Sequence, residues 1–388
     1  MKIVIVGTAY PMRGGIAQFN ALLYKYLSVK NDVSVYSFKR QYPEFLFPGK
    51  TQFEKGEPAI NIPADKNNVS IDSVNPFNWL INGYKIAKLK PELLIFKYWI
   101  PFFAPCFFTI SFLAKMFSRT KVLYICDNVI PHEKRFGDYL LTRLAFLMTD
   151  YFLVMSKKVE NDLKKTVENK EYKFAHHPVY NLFGDKVSKE KARDVLKEKY
   201  NLDFGSRGII LFFGYIRKYK GVSYLIESMK HLAGKINADL LVAGESYEDE
   251  KIYTDQVKKL GLEKNVKLFT DFIPDSDVRY FFSACDVVVL PYIDATQSGI
   301  IQIAYFYDKP VIATDVGGLA EIVLNNVTGL IVKPGSAESI AEAVKNYYNN
   351  GLEKVFSENV ESEKQKYTWE NFVNVILELA HKKNNKDK

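Results

Sequence analysis

Short apolar runs alternate with longer amphipathic stretches along the chain, a rhythm that is typical of α/β proteins. In the first half the runs are KIVIVG, DVSVYSF, ELLIFKYW, KVLYICD and YFLVMS, and helical patterns separate most of them. The second half repeats the rhythm with GIILFFG, ADLLVAG, NVKLFTDF, DVVVLPY and PVIATD. Strands that alternate with helices predict parallel sheets.

The pattern also predicts two domains. Between Tyr180 and Leu196 a glycine and a run of charges replace the apolar periodicity, and a chain of 388 residues exceeds what one core usually supports. We predict two doubly wound, Rossmann-like domains, 1–180 and 181–367. The final WENFVNVILELAHKK predicts a helix over 368–383 that could pack on either half and that we join to the first. Open parallel sheets bind ligands at the carboxyl ends of their strands, so the expected site is the cleft between the domains.

Composition agrees with a folded globular protein, since 47% of the residues are apolar and 25% are charged. Cys106, Cys126 and Cys285 are odd in number and far apart, which predicts neither a disulfide framework nor a zinc site and fits a cytoplasmic protein. The formal charge of +8 reflects a diffuse excess of lysine, which is usually a solvated surface. We expect no nucleic-acid partner.

The longest apolar stretch, Tyr98 to Ala114, contains two prolines and follows Lys97. These features favour a strand followed by a buried helix over a spanning helix. The alternative is an exposed aromatic face that enters a membrane surface beside basic residues. Its members would be Phe102, Phe103, Phe107, Phe108 and Phe112.

Glycines and cations follow several of the predicted strands. Gly14 and Gly15 precede the first helical stretch, where the backbone could approach a phosphate, although a structural turn explains them equally well. Gly214 ends a strand, and Arg217, Lys218 and Lys220 follow in the next loop, where they could stabilise a leaving diphosphate. A solvated basic loop is the alternative.

A third loop, Thr296 to Gly299, lies between a strand and an apolar helical run. Ser298 is the predicted N-cap, and Gln297 and Gly299 flank it; the amides beyond would face an anion. A capped helix without a ligand is the alternative. A second glycine pair, Gly317 and Gly318, also follows a strand, so these loops converge on one face of a sheet.

These motifs resemble the family 4 glycosyltransferases, which have the GT-B fold. The resemblance rests on Gly214, Arg217, Lys220 and Gly221, on PVIATDVGGLAEIV and on NNVTGLIVKPGSAESIAEAV. It implies that Arg217 and Lys220 bind the donor diphosphate and that Gly14 and Gly15 close over it. It also implies retention of the anomeric configuration without a metal.

The sequence departs from the family at two places. Ala295 and Ile303 occupy the positions of two usual glutamates, so Gln297, Ser298 and Gln302 are the candidates for the donor contacts that those glutamates make. In KVLYICDNVIPHE, Asp127 occupies the position where the family often has histidine, and His132 follows five residues later. Either could approach the reacting sugar, and His132 could equally fix the loop.

We therefore predict a retaining, metal-independent glycosyltransferase that needs no cofactor. It would take a nucleotide diphosphate sugar as donor and a glycan or lipid-linked acceptor, in cell-surface polysaccharide or glycolipid biosynthesis, with peripheral membrane contact as a further hypothesis. The predicted catalytic residues are Arg217, Lys220, Asp127 and His132. A sugar nucleotide epimerase and a non-catalytic nucleotide-sugar- or glycan-binding subunit remain as alternatives. The missing G-x-G-x-x-G spacing disfavours a dinucleotide dehydrogenase.

Overall fold

The computed structural model of the chain describes residues 1–44, 51–54, 56–130 and 136–382. Its contacts divide the chain into two compact units, Met1–Pro178 with Tyr367–Lys388, and Val179–Lys366. Each unit is built on its own parallel sheet. Within the described residues, no helix is both long and apolar enough to span a bilayer.

The first unit contains a seven-stranded parallel sheet in the order β3-β2-β1-β4-β5-β6-β7. Its strands are β1 (Lys2–Val6), β2 (Asp32–Arg40), β3 (Asn67–Asp72), β4 (Leu93–Tyr98), β5 (Lys121–Cys126), β6 (Tyr151–Val154) and β7 (Glu171–Phe174). Its helices up to the boundary are α1 (Gly15–Leu27), α2 (Pro76–Leu89), α3 (Ala104–Phe117), α4 (Asp138–Phe146) and α5 (Lys157–Thr166). The central strands are almost wholly buried, because helices cover both faces of such a sheet.

The second unit contains a six-stranded parallel sheet in the order β10-β9-β8-β11-β12-β13. Its strands are β8 (Gly208–Phe213), β9 (Ala238–Ala243), β10 (Val266–Phe269), β11 (Val287–Leu290), β12 (Val311–Thr314) and β13 (Gly329–Val332). Its helices are α6 (Lys189–Tyr200), α7 (Val222–Leu232), α8 (Lys251–Lys259), α9 (Asp275–Ala284), α10 (Gly299–Phe306), α11 (Leu319–Ile322), α12 (Ala337–Asn349) and α13 (Glu353–Glu363).

The last helix, α14 (Trp369–His381), belongs to the first unit, where it packs on α1. Trp369 lies between two aromatic side chains of α1. Its ring centroid is 5.1 Å from that of Phe19, and it stacks on Tyr26 at 5.6 Å. The apolar stripe of this helix is therefore buried against the same unit that contains the N-terminus.

The stretch that begins at Tyr98, the last residue of β4, continues as a single turn of 3₁₀ helix over Pro101–Phe103 and then as α3. This arrangement agrees with the prediction of a strand followed by a buried helix. The alternative prediction, in which five phenylalanines form an exposed aromatic face, is wrong. Phe103 and Phe107 are completely buried, and only Phe112 of the five is clearly exposed. The ring of Phe103 packs on that of Phe38 at 5.1 Å, inside the main core of the unit.

Candidate functional site

In each sheet the strand order reverses once, and the predicted residues lie around these reversals. In the second unit β8 and β11 are adjacent, so the loops after them leave the sheet in opposite directions and open a crevice at their carboxyl ends. Gly214, Arg217 and Lys220 follow β8, and the segment Gln297 to Gly299 follows β11. The two sets of predicted donor residues therefore flank one switch point.

Lys220 lies directly beside Gly214. The glycine has φ near 110°, and a Cβ at this position would be 3.3 Å from Lys220 Nζ and 3.3 Å from Ile300 Cδ1. Lys220 ends a 3₁₀ turn over Lys218–Lys220, and Gly221 follows it with φ near 67°. A Cβ at Gly221 would be 2.0 Å from the carbonyl oxygen of Pro291, so glycine is required where this loop crosses the end of β11.

The ammonium of Lys220 is buried, and no described residue supplies an anionic partner for it. The side chain is 9% exposed, and Nζ lies 5.2 Å from the ring centroid of Tyr292. In the described part of the chain no carboxylate forms an ion pair with it. Burial lowers the pKa of Lys220 below its ordinary value, and the positive charge of Arg217 acts in the same direction. An anion that entered here would be attracted strongly, since a buried charge is costly until it is paired.

Arg217 supplies the second cation of the loop. Its backbone is extended, and its guanidinium lies over the ring of Tyr247, 4.6 Å from the ring centroid. This is a cation–π contact. The planar guanidinium keeps donors that suit phosphate oxygens. Arg217 and Lys220 thus stand on the loop after β8, where the resemblance places diphosphate-binding residues.

The helix after β11 contributes backbone donors. Ser298 occupies the N-cap position of α10, as predicted, but its hydroxyl makes no capping hydrogen bond and lies 3.3 Å from the hydroxyl of Tyr292 instead. Burial raises the pKa of Tyr292 to about 12, so its hydroxyl stays protonated at neutral pH. Because the first turn of a helix lacks intrahelical acceptors for its amides, this end of α10 favours an anion.

Tyr292 links the two sets, because Lys220 Nζ lies over its ring and Ser298 contacts its hydroxyl. The side chain of Gln297 is half-buried in the same loop. Gly317 stands next to it: a Cβ there would be 1.8 Å from the carbonyl oxygen of Ala295, and Gly318 donates its amide to Thr296 at 2.9 Å. The second glycine pair thus supports the 295–299 loop through backbone packing.

Gln302 is the buried polar side chain of α10. It is completely buried, and neither its amide nitrogen nor its amide oxygen has a hydrogen-bond partner among the described residues. It follows Ser298 by four positions, so both lie on one side of the helix, and helical side chains lean toward the N-terminus. An unsatisfied buried amide costs about 1–3 kcal/mol.

In the first unit, Gly14 is the N-cap of α1 with φ near 100°, and Gly15 is the first residue of the helix. Both lie after β1, which is adjacent to β4 at the reversal of this sheet. The amide of Gln18 donates to the carbonyl of Gly14 at 3.1 Å and closes the first turn. The positive φ of Gly14 explains why glycine is needed there, and the closing role over a donor stays a prediction.

Asp127 directly follows β5, and its carboxylate forms an ion pair that the sequence did not reveal. Lys97, the penultimate residue of β4, places Nζ 2.8 Å from Asp127 Oδ1 and 3.4 Å from the ring centroid of Phe19. Lys97 is only 1% exposed. Its signal in the sequence was a lone charge within the apolar run LLIFKYW, which we used only as evidence against a spanning helix.

His132 lies outside the described residues, so its predicted role stays a prediction. His177 lies in the first unit and is buried, with its ring 5.3 Å from that of Phe19 and Nδ1 2.8 Å from the carbonyl oxygen of Pro178. Burial lowers the pKa of His177 to about 3, and the nearby Lys97 acts in the same direction. Its imidazole is therefore neutral at physiological pH. No group of three or more metal-ligating side chains occurs in the described ranges.

Comparison with known proteins identifies the family. Residues 194–363 match the model of the glycosyl transferases group 1, a segment that contains the whole of the Lys220 loop and α10. An uncharacterized glycosyltransferase of Methanocaldococcus jannaschii is 26% identical over 385 residues, which is 96% of each chain. Residues 194–363 are therefore a segment of the group 1 glycosyltransferase type.

Two further similarities bear on this chain. The capsular polysaccharide biosynthesis glycosyltransferase CapM of Staphylococcus aureus is 27% identical over 219 residues, so the match spans little more than half of either protein, 56% of this chain and 57% of CapM. The structure of HepE from Anabaena, solved in complex with UDP, superposes with a TM-score of 0.75 over 97% of this chain and 100% of HepE, at 16% identity. The fold is GT-B, with two Rossmann-like domains.

Proposed function

We propose that this glycosyltransferase transfers a sugar from a nucleotide diphosphate sugar to a glycan or lipid-linked acceptor, with retention of the anomeric configuration and without a metal ion. The observation that carries the proposal is the ammonium of Lys220. It is buried beside Gly214 at the switch point of its sheet and has no carboxylate partner in the described structure. A diphosphate is the anion that this class of reaction brings to such a position.

The donor diphosphate would bind between the cations of Arg217 and Lys220 and the amides at the start of α10. When the bond between the sugar and the diphosphate breaks, negative charge grows on the leaving oxygen. Positive groups that are already in place stabilise this charge more in the transition state than in the ground state. They would supply the charge that a metal ion supplies in other phosphate-binding enzymes, which is why no metal is part of the proposal.

The proposed chemistry is a displacement on one face of the sugar. The acceptor hydroxyl forms the new bond to the anomeric carbon on the side from which the nucleotide diphosphate departs with the bonding electron pair. A phosphate oxygen of the leaving group takes the hydroxyl proton. No side chain is then needed as a nucleophile. Asp127 stays a predicted contact to the sugar, since a carboxylate can accept a hydrogen bond from a sugar hydroxyl.

The relatives support a role in cell-surface polysaccharide or glycolipid synthesis. CapM is a capsular polysaccharide biosynthesis glycosyltransferase, and HepE was solved in complex with UDP and with UDP-glucose. We therefore place UDP-sugars first among the donors to be tested, ahead of GDP-, ADP- and CDP-sugars. The nucleotide base of the donor has to be recognised by contacts outside the diphosphate site.

The test is an assay of sugar transfer with each donor, with and without EDTA, followed by NMR of the product. The proposal predicts turnover by the purified chain with one class of donor, no loss of activity in EDTA, and a product whose anomeric configuration equals that of the donor. An inverted product or a strict requirement for a divalent ion would overturn it. Conversion of the donor sugar without an acceptor would support an epimerase, and binding without turnover would support a non-catalytic subunit.

A further inference from the structure

The first unit presents an exposed apolar surface on two of its helices. On α2, large apolar side chains recur at the spacing of one helical stripe, and Phe77 is 78% exposed. On α3, Met116 follows Phe112 by four positions, and both are exposed. The α2–α3 face consists of the exposed side chains Phe77, Leu80, Ile81, Tyr84, Phe112, Met116 and Phe117.

The two stripes form one surface because the helices pack closely. A Cβ at Gly83 would be 2.7 Å from Leu113 Cδ1, so this glycine lets α2 approach α3. At the junction, the rings of Tyr84 and Phe117 meet edge to face at 5.9 Å. Apolar side chains that are exposed singly are ordinary, but a continuous patch of this kind usually marks an interaction site.

The charges on the two helices have one sign. Neither α2 nor α3 contains an aspartate or a glutamate. Lys85, Lys88, Lys90 and Arg119 are exposed on these helices or at their ends, and none of them forms an ion pair with a described residue. Lys88 places Nζ 4.7 Å from the ring centroid of Tyr84, so cation and aromatic ring lie side by side at the edge of the face.

We propose that the α2–α3 face docks on the surface of an anionic lipid bilayer. Aromatic and aliphatic side chains would enter the boundary between headgroups and acyl chains, and the unpaired cations would meet anionic headgroups. A second copy of the chain fits less well, because a symmetric dimer would bring the same unpaired cations together. The docking goes beyond the proposed transfer reaction and needs neither donor nor acceptor.

The experiment is flotation of the full chain with phosphatidylcholine vesicles that contain either no phosphatidylglycerol or a third of it. We expect binding only to the anionic vesicles, with a decrease as salt is raised, since salt screens charges beyond about 10 Å at 0.1 M. Lys85→Glu/Lys88→Glu should weaken partitioning by more than about tenfold, because each lysine near the surface contributes roughly a factor of five. Phe77→Ser/Ile81→Ser should abolish stable binding to the vesicles, because it removes two apolar side chains from the α2–α3 face.

Matched controls lie on the second unit. Lys258→Glu/Lys259→Glu makes the same change in net charge at exposed lysines, and Ile252→Ser/Val355→Ser removes two similarly exposed apolar side chains. Both controls should bind vesicles as the parent does. Failure of the parent to float with anionic vesicles at low salt, or equal losses in controls and α2–α3 variants, would overturn the proposal. So would a dimer in sedimentation that dissociates in Phe77→Ser/Ile81→Ser while vesicle binding is absent.

Discussion

Two buried lysines stand at the carboxyl ends of strands in the two units, and they differ in what surrounds their charge. Lys97 at the end of β4 is 1% exposed and lies 2.8 Å from the carboxylate of Asp127. Lys220 after β8 is 9% exposed and has no carboxylate partner in the described structure. Burial lowers the pKa of both, but Asp127 opposes this only at Lys97. The first charge is balanced within the protein, whereas the second is available for an anionic ligand.

The largest difference between the two lysines is expected when each is replaced by methionine. Lys97→Met leaves the mostly buried carboxylate of Asp127 without its cation, and we expect the free energy of unfolding to fall by about 3–5 kcal/mol. Lys220→Met removes a charge that no carboxylate of the described residues balances, so it should leave the unfolding free energy unchanged or raise it. Urea denaturation of both variants measures the difference.

The double variant Lys97→Met/Asp127→Leu serves as the control, because it removes both charges and should recover much of the lost stability. Equal losses in Lys97→Met and Lys220→Met would contradict the distinction between a balanced and an unbalanced lysine.

A smaller effect is expected at Gln302, which extends the comparison to an uncharged group. Both polar atoms of its buried amide lack partners, so Gln302→Leu should raise the free energy of unfolding by about 1–3 kcal/mol and weaken donor binding. Gln256→Leu is the matched control, because Gln256 donates to the carbonyl oxygen of Ser223 at 2.8 Å and its loss should destabilise the chain. A Gln302→Leu variant that is less stable and binds donor normally would assign Gln302 to the core alone.

The last prediction vanishes near neutral pH and concerns His177, which is close enough to Lys97 for that charge to contribute to its lowered pKa. The pKa of His177 is about 3 in the folded chain and near 6.5 when unfolded, so the unfolded state binds the extra proton between these values. Stability should therefore fall as the pH falls from 6.5 toward 3, by at most about 1.4 kcal/mol per pH unit from this group.

His177→Gln should flatten that part of the stability profile. In Lys97→Met the imidazole should titrate at a higher pH than in the parent, as NMR of its ring protons would report. An imidazole that titrates near 6.5 in the parent would refute the buried, neutral histidine.

The sequence predicted the strands that helices cover on both sides, and it missed three of the four edge strands. Every apolar run predicted as a strand is one, but β3, β7 and β13 were not predicted. Each of them is the last strand at one edge of its sheet, and β3 and β7 are polar and only partly buried. Edge strands need less apolar surface, so alternation in the sequence is weak there.

For the candidate site, the sequence likewise predicted some features and missed others. Spacing alone placed Gly214, Arg217 and Lys220 after one strand and Ser298 before a helix, because strand ends and helix starts have local signals. It could not reveal that Lys97 pairs with Asp127 or that Lys220 lies over the ring of Tyr292, since these contacts join residues that are distant in sequence. The cap bond expected of Ser298 was replaced by a contact with the hydroxyl of Tyr292.

The central claim is that the unbalanced charge of Lys220 binds the donor diphosphate, and a thermal-shift titration with UDP, GDP, ADP and CDP tests it. The parent should gain about 5 °C or more with one nucleotide at a hundredfold excess over its Kd. Lys220→Ala should bind that nucleotide about tenfold to a hundredfold more weakly, since hydrogen bonds to charged groups contribute about 1.5–3 kcal/mol. Lys218→Ala, which removes an exposed lysine from the same turn, should bind it as the parent does. Equal binding by the parent and Lys220→Ala, or no shift with any nucleotide, would contradict the account.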